Sequence, residues 1–165
     1  MQKHEVKLAL LSATAKRPTQ ATDGSFGYDV FADLETPTVI PRGETALIPT
    51  GVTVELPGYL GLFVVPRSGM SHRDKIRVSN SPGLVDFDYR GEIYVTLHNL
   101  GDRKYVINPG DAIAQLTFPL LVRPKFVDEF TPTQTTRGSG GFGSTGKQAG
   151  SPSTAPGEND AKSPK

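Results

Sequence analysis

The sequence predicts an all-β fold: a jelly-roll-like β-sandwich or barrel of many short strands, with at most one short helix. Three observations carry that prediction. The 165 residues include 18 glycines and 14 prolines, punctuation too dense for long helices. Short apolar runs recur along the chain with turn residues between them. No stretch of helical length shows a convincing apolar period of 3.6 residues.

The strand-like runs are 6–11, 28–32, 38–41, 45–56, 60–66, 76–80, 92–99, 105–108, 113–118 and 125–130. Alternation is clearest in 92–99, where Ile93, Val95 and Leu97 face one way and Tyr94, Thr96 and His98 the other. Turns are marked by Pro41-Arg42-Gly43, Pro57-Gly58, Pro82-Gly83 and Asn108-Pro109-Gly110. Residues 69–75 are the best helix candidate, worth one or two turns. Runs 76–80 and 92–99 are expected to form a hairpin with residues 83–91 at its tip.

The length suits one domain, and 36% hydrophobic content is enough for one core. A net charge of +1 implies no global attraction to nucleic acid or membrane. With no cysteine there are no disulfides or thiolate metal sites, which fits a reducing compartment. The opening residues 1–5 lead into too few apolar residues for a signal peptide or a membrane span, so a soluble, cytoplasmic protein is expected. The composition changes late in the chain. The expected organisation is a β-domain over 1–130, a mobile C-terminal arm over 131–146 and a disordered tail over 147–165, which holds no Val, Leu, Ile, Met or aromatic residue.

The glycine-rich stretch 137–146 contains two decoys. Residues 138–143 spell G-x-G-x-x-G, but prolines follow where the dinucleotide fingerprint needs a helix. Residues 141–147 spell G-x-x-x-x-G-K, but Gln148 stands where a P-loop needs Ser or Thr. A flexible linker is the plain alternative. Against it stand Arg137, suited to phosphate oxygens, Phe142, with a ring face for a base, and the hydroxyls of Ser144 and Thr145.

Upstream, residues 83–91 place two acids, a tyrosine and an arginine in one short segment. An Asp-rich turn capping its own backbone explains a single acid. Asp86, however, follows the apolar pair Leu84-Val85, so it can sit at a rigid strand end as a general base. Pro66-Arg67-Ser68-Gly69 follows an apolar strand and reads either as an ordinary turn or as a hydroxyl and N–H groups offered to a phosphate. Asp29 and Asp111 read as turn acids or site acids, and Gln115 as a site amide or one satisfied by backbone.

Taken in order, Gly27-Tyr28-Asp29, Pro66-Arg67-Ser68-Gly69, residues 80–91, residues 110–116 and Arg-Gly-Ser-Gly-Gly-Phe-Gly-Ser-Thr-Gly at 137–146 resemble the five motifs of the dUTPase (dUTP diphosphatase) family of trimeric all-β type. The resemblance implies Mg²⁺-dependent hydrolysis of dUTP to dUMP and pyrophosphate, limiting uracil incorporation into DNA and supplying dUMP. Asp86 matches the carboxylate that activates the attacking water, and Asp29 the acid that reaches the metal through water. Tyr89 matches the ring that lies against the deoxyribose and leaves no room for a 2′-hydroxyl. Asn80, Gly83 and the strand around Tyr94 match the uracil-reading segment. Ser68, Gly69 and Gln115 match phosphate contacts, and Arg67 a partner of the phosphates or of Asp29. Arg137, Gly143, Ser144 and Thr145 match the phosphate-gripping arm, with Phe142 over the uracil. The resemblance also implies a homotrimer with shared active sites.

Two residues depart from the family pattern. Ala112 stands where an arginine is common, and Tyr94 is bulkier than usual. The rival readings are a dUTP-binding regulatory protein and a dCTP deaminase. The second is opposed by Thr96, which stands where the deaminase carries its catalytic glutamate.

Overall fold

The computed structural model describes residues 4–128, 131, 133–136 and 138–139. The chain divides into two units, Met1–Arg123 and Pro124–Lys165. The first unit is all-β, as predicted. Its strands are β1 (Lys7–Leu10), β2 (Tyr28–Phe31), β3 (Thr38–Ile40), β4 (Thr45–Pro49), β5 (Val52–Glu55), β6 (Leu62–Val65), β7 (Ile76–Val78), β8 (Gly83–Val85), β9 (Tyr94–Asn99), β10 (Tyr105–Ile107) and β11 (Ala112–Thr117). They pair antiparallel throughout, as a four-stranded sheet β2-β11-β6-β8, a three-stranded sheet β4-β9-β7 and the pairs β1-β5 and β3-β10.

The core is aliphatic. Val30, Ile40, Ile48, Leu62, Ile76, Ile93, Leu97, Ile107 and Leu116 are all buried side chains from strands or strand ends. Each such side chain contributes about 1.5–3 kcal/mol on leaving water. The alternation read in 92–99 holds: Ile93, Val95 and Leu97 are inside, while Tyr94, Thr96 and His98 are not.

Two turns follow their residues closely. At Pro41–Glu44 and Asn108–Asp111 a glycine occupies the third position with φ of 78°, the left-handed value a type II turn needs there. The Asp111 carboxylate accepts the Asn108 N–H at 2.8 Å, so it acts as a turn acid.

Three expectations need correction, and one is met in an unexpected geometry. Run 45–56 is two strands, because the chain breaks at Thr50-Gly51 and passes from the three-stranded sheet to β1-β5. Gly51 has φ of 62°, and a Cβ there would run into the Asp33 carboxylate and the Ala15 methyl. The helix candidate is borne out as one short turn, Met70–Asp74, which takes π geometry and ends at Lys75 with φ of 58°. β7 and β9 do pair, but residues 83–91 are not a simple hairpin tip, because Gly83–Val85 forms β8 in the other sheet against β6. Finally, the described part of run 125–130, residues 125–128, is not a strand; Phe126 is 89% exposed, so burial does not favour extended pairing there. Among the described residues no helix is long and apolar enough to cross a membrane.

The Gly51 geometry makes a stability prediction. Gly51→Ala is expected to lower the unfolding free energy by roughly 1–3 kcal/mol, through both the left-handed backbone and the Cβ collision. Urea denaturation of the two proteins measures it.

Candidate active site

The sheet β2-β11-β6-β8 carries or borders the first four motif segments. Asp29 lies on β2, Gln115 on β11, Arg67 just beyond β6, and Gly83 on β8. Register does the assembling. Gln115 is opposite Asp29 on one side and Val65 on the other, so the three stand in one row across the sheet. β11 carries a bulge between Ala112 and Ala114, the two residues opposite Phe31 and Val30. The extra residue lets Ile113 and Ala114 both go inside while Gln115 still meets Asp29.

The polar cluster that results is tight. Arg67 Nε donates to Asp29 Oδ1 at 3.2 Å and Nη2 to Oδ2 at 3.3 Å, a two-pronged grip. Arg67 Nη1 donates to the Ala112 carbonyl at 2.9 Å. Gln115 Nε2 donates to Asp29 Oδ1 at 2.9 Å. The Asp29 side chain keeps 15% exposure and that of Arg67 34%. Of the two partners foreseen for Arg67, the structure shows Asp29; Gln115 is held by a carboxylate rather than by backbone. Gly27 is buried against Gln115, whose side-chain atoms lie 3.1–3.2 Å from where a Cβ would stand. Ser68 beside this cluster is exposed, Gly69 is half-buried, and the Arg67 carbonyl accepts the Ser71 N–H at 3.0 Å.

The third segment forms a separate group. Gly83 is buried, with Asn80 Nδ2 and Val64 Cβ 3.2 and 3.3 Å from a would-be Cβ, so Asn80 lies directly on it. Asp86 follows β8 and is exposed, with no side-chain hydrogen bond among the described residues. A turn closes behind it, the Tyr89 N–H donating to the Asp86 carbonyl at 3.1 Å. The Arg90 guanidinium braces the turn, Nη1 reaching the Phe87 and Tyr89 carbonyls at 2.8 and 2.9 Å. The Arg123 guanidinium covers the Phe87 ring at 4.6 Å. Tyr89 is 44% exposed, and its hydroxyl donates to the Glu92 carbonyl at 2.9 Å. Tyr94 is exposed on β9, and the Glu92 carboxylate beside it holds its phenol above the ordinary tyrosine value.

Within one chain these two groups stay apart. Leu62 pairs with Val85, so Asp86 falls opposite Gly61. That is four residues, or roughly 13 Å of strand, from Val65, and Arg67 lies further along in the same direction. The structure therefore brings Asp29, Arg67 and Gln115 together and leaves Asp86 and Tyr89 toward the other end of the sheet.

Arg137, Phe142, Gly143, Ser144 and Thr145 lie outside the described residues, as does the tail 147–165. In the second unit, Gly138 at φ of 52° closes a turn, its N–H donating to the Thr135 carbonyl and hydroxyl at 3.0 and 3.1 Å. Sequence reasoning did not single out Glu92. Its Oε1 accepts the N–H of Thr50 at 3.0 Å and of Gly51 at 2.8 Å, closing the break between β4 and β5. The only signal for it was an acid directly after Gly91, at the head of the alternating run.

Fold and site together define the class, an all-β protein with a carboxylate–guanidinium–amide cluster and a separate exposed carboxylate on one sheet. The dUTPase family model matches residues 13–146. A deoxyuridine 5′-triphosphate nucleotidohydrolase of Burkholderia cenocepacia is 45% identical over 134 residues, covering 79% of this chain and 88% of that one. Its counterpart in Rickettsia bellii is 47% identical over 131 residues, covering 79% and 87%. The dUTPase of Staphylococcus bacteriophage 80alpha, solved with dUpNHpp, superposes with a TM-score of 0.77 at 26% identity, over 87% of this chain and 99% of that one. A mutant dUTPase from phage phi11 of S. aureus, studied for its coordination of a structural Mg(II) ion, gives a TM-score of 0.70 at 25% identity, over 78% and 100%. The chain belongs to the dUTPase family. It is a dUTP diphosphatase, hydrolysing dUTP to dUMP and pyrophosphate.

The Arg67 cluster yields a prediction. A lysine carries its donors on one nitrogen and cannot span both Asp29 oxygens and the Ala112 carbonyl. Arg67→Lys is expected to lose about 1–2 kcal/mol of stability and at least about tenfold in dUTP hydrolysis. Denaturant titration and pyrophosphate release read the two effects.

Proposed function

We propose that Asp86 is the general base for dUTP hydrolysis and that the site is completed only where chains meet. Asp86 takes a proton from water as the water oxygen attacks the α-phosphorus. The bond from that phosphorus to the bridging oxygen breaks, and pyrophosphate leaves. The observation that carries the reading is the division of the sheet. Asp86 is exposed and free of side-chain partners among the described residues, while the Asp29–Arg67–Gln115 cluster sits well along the same sheet. A triphosphate held at one group reaches the other group of a neighbouring chain, which supports a homotrimer with shared sites.

The other residues take roles consistent with their surroundings. Tyr89, braced by its hydroxyl, lies against the deoxyribose and excludes a 2′-hydroxyl. Gly83, Asn80 and the backbone near Tyr94 read the uracil edge, Gly83 and Asn80 being already in contact. Ser68, Gly69 and Gln115 meet the phosphates. Arg137, Gly143, Ser144 and Thr145 close over them from the arm, with Phe142 on the base.

The metal is tested by the donor set. Among the described residues no group of three His, Asp or Glu side chains could cage a cation. Asp29 has Oδ1 bonded by both Arg67 and Gln115 and Oδ2 by Arg67 alone, and it keeps some exposure. That fits an outer carboxylate touching a hydrated ion, the manner in which Mg²⁺ is commonly held beside substrate phosphates. Bound there, Mg²⁺ would neutralise phosphate charge. The absence of cysteine supports work in the reducing cytoplasm.

Two experiments test this. Asp86→Asn is expected to cut turnover by roughly 10²–10⁴-fold while dUTP binding persists. Pyrophosphate release from dUTP, dTTP, dCTP and UTP, with and without Mg²⁺, together with equilibrium binding, checks it; near-normal turnover would remove Asp86 from the role. In the second, Asp86→Asn chains are co-assembled with Asp29→Ala chains. A shared site restores activity at roughly a quarter of positions, since each of two chains is intact half the time. A site built within one chain restores none.

A further inference from the structure

Among the described residues Glu92 makes no hydrogen bond with Asp86 or with the Asp29 cluster, yet two networks meet on it. Its carboxylate oxygen Oε1 accepts both N–H groups at the break between β4 and β5. Its main-chain carbonyl accepts the Tyr89 hydroxyl at 2.9 Å. The bonds around it join the same two segments in both directions. Thr53 Oγ1 donates to the Arg90 carbonyl at 3.1 Å, the Ile93 N–H to the Val52 carbonyl at 2.8 Å, and the buried Thr50 hydroxyl to the Ile93 carbonyl at 2.6 Å. Residues 90–93 are thereby stitched to residues 50–53, and the Gly51 carbonyl in turn accepts the N–H of Leu11, the residue after β1, at 2.8 Å.

From this arrangement we infer that Glu92 is a positioning residue for sugar selection. Its carboxylate fixes the main-chain carbonyl on which the Tyr89 hydroxyl, and so the plane of the Tyr89 ring, is anchored. The inference rests on the reading of Tyr89 as the residue against the deoxyribose. Steric exclusion of a 2′-hydroxyl works only while the ring cannot yield. A phenol hinged at Cα and Cβ alone swings aside for one extra oxygen, whereas one pinned at its far end does not. The pin is only as fixed as the carbonyl that receives it. The segment carrying that carbonyl is exposed at Tyr89 and Arg90, so the Glu92 carboxylate anchors it to the interior. Gly91 belongs to the same device: it lies against the Tyr89 phenol, and a Cβ there would collide with the hydroxyl.

The chemistry needed from residue 92 is an acceptor, not a charge. Oε1 takes two N–H groups, and a glutamine oxygen can do the same. This separates positioning from electrostatics and from general destabilisation. The experiment measures kcat/KM for dUTP and for UTP, with thermal midpoints, in the wild type and in Glu92→Ala, Glu92→Gln, Tyr89→Phe and Tyr89→Ala. Glu92→Ala and Tyr89→Phe are each expected to lower the dUTP/UTP ratio about tenfold, mainly by admitting UTP, while Glu92→Gln keeps the wild-type ratio. If Tyr89→Ala loses the ratio but Glu92→Ala and Tyr89→Phe keep it, the anchoring role is wrong and the sugar contact stands. A Glu92→Gln protein that loses the ratio as fully as Glu92→Ala also overturns it, since charge would then be what matters. If Tyr89→Ala itself retains the ratio, the sugar contact falls and the inference with it. Should Glu92→Ala fail to fold, Tyr89→Phe and Glu92→Gln still decide the matter.

Discussion

The register of β11 is the constraint on which the site depends. Gln115 must stand between Asp29 and Val65, and only one alignment of three strands puts it there. A slip of one residue against β2 would turn Gln115 toward the core and Leu116 toward the cluster, exchanging an apolar contact for an amide with no partner. The bulge at Ile113 holds that phase, since Ile113 and Ala114 are both buried and the strand cannot be flat there. Once Gln115 is placed, its amide and the Arg67 guanidinium satisfy the Asp29 carboxylate, and the Ala112 carbonyl takes the remaining prong of the guanidinium. A half-buried carboxylate with only some of these bonds would be costly, so the cluster forms as a unit.

How much of this was legible follows from the range of each signal. Alternation in 92–99 is local, and it gave the correct faces for Ile93 through His98. Turn chemistry is local too, and Gly43 and Gly110 sit at the left-handed positions their sequences imply. The break at Gly51 was missed because a Thr-Gly pair inside an apolar run looks like strand. What forbids a side chain there is Asp33 and Ala15, distant in sequence. β8 was missed for the opposite reason. Pro82-Gly83 looks like a turn, but Gly83 lacks a side chain because Val64 and Asn80 fill the space one would need. Asp29, Arg67 and Gln115 were named from their motif segments, but their mutual hydrogen bonds depend on strand order, which no short-range pattern contains.

The same distinction explains Glu92. A candidate general base is marked by an acid at a turn or strand end, and Asp86 directly after β8 carries that mark. A group that acts through hydrogen bonds to backbone has no such mark. Glu92 accepts the N–H groups of Thr50 and Gly51, residues more than forty positions away, and these would be satisfied equally by any well-placed acceptor. Its identity is set by geometry at a strand break that was itself not foreseen.

Ala112 shows how an apparent loss at a site can be small. An arginine before Ile113-Ala114-Gln115 would offer an ion pair beside the amide, and Ala112 offers none. The structure gives the amide a partner regardless, with Gln115 Nε2 2.9 Å from Asp29. What position 112 supplies to the cluster is its carbonyl, which accepts from Arg67 at 2.9 Å. A carbonyl is present whatever the side chain, and its direction is set by the bulge one residue on. Backbone therefore holds the Arg67 end of the cluster, so a small residue at 112 leaves the orientation of Gln115 intact. The vulnerable points are the groups that no backbone atom can replace: the fork of Arg67 and the carboxylate it grips.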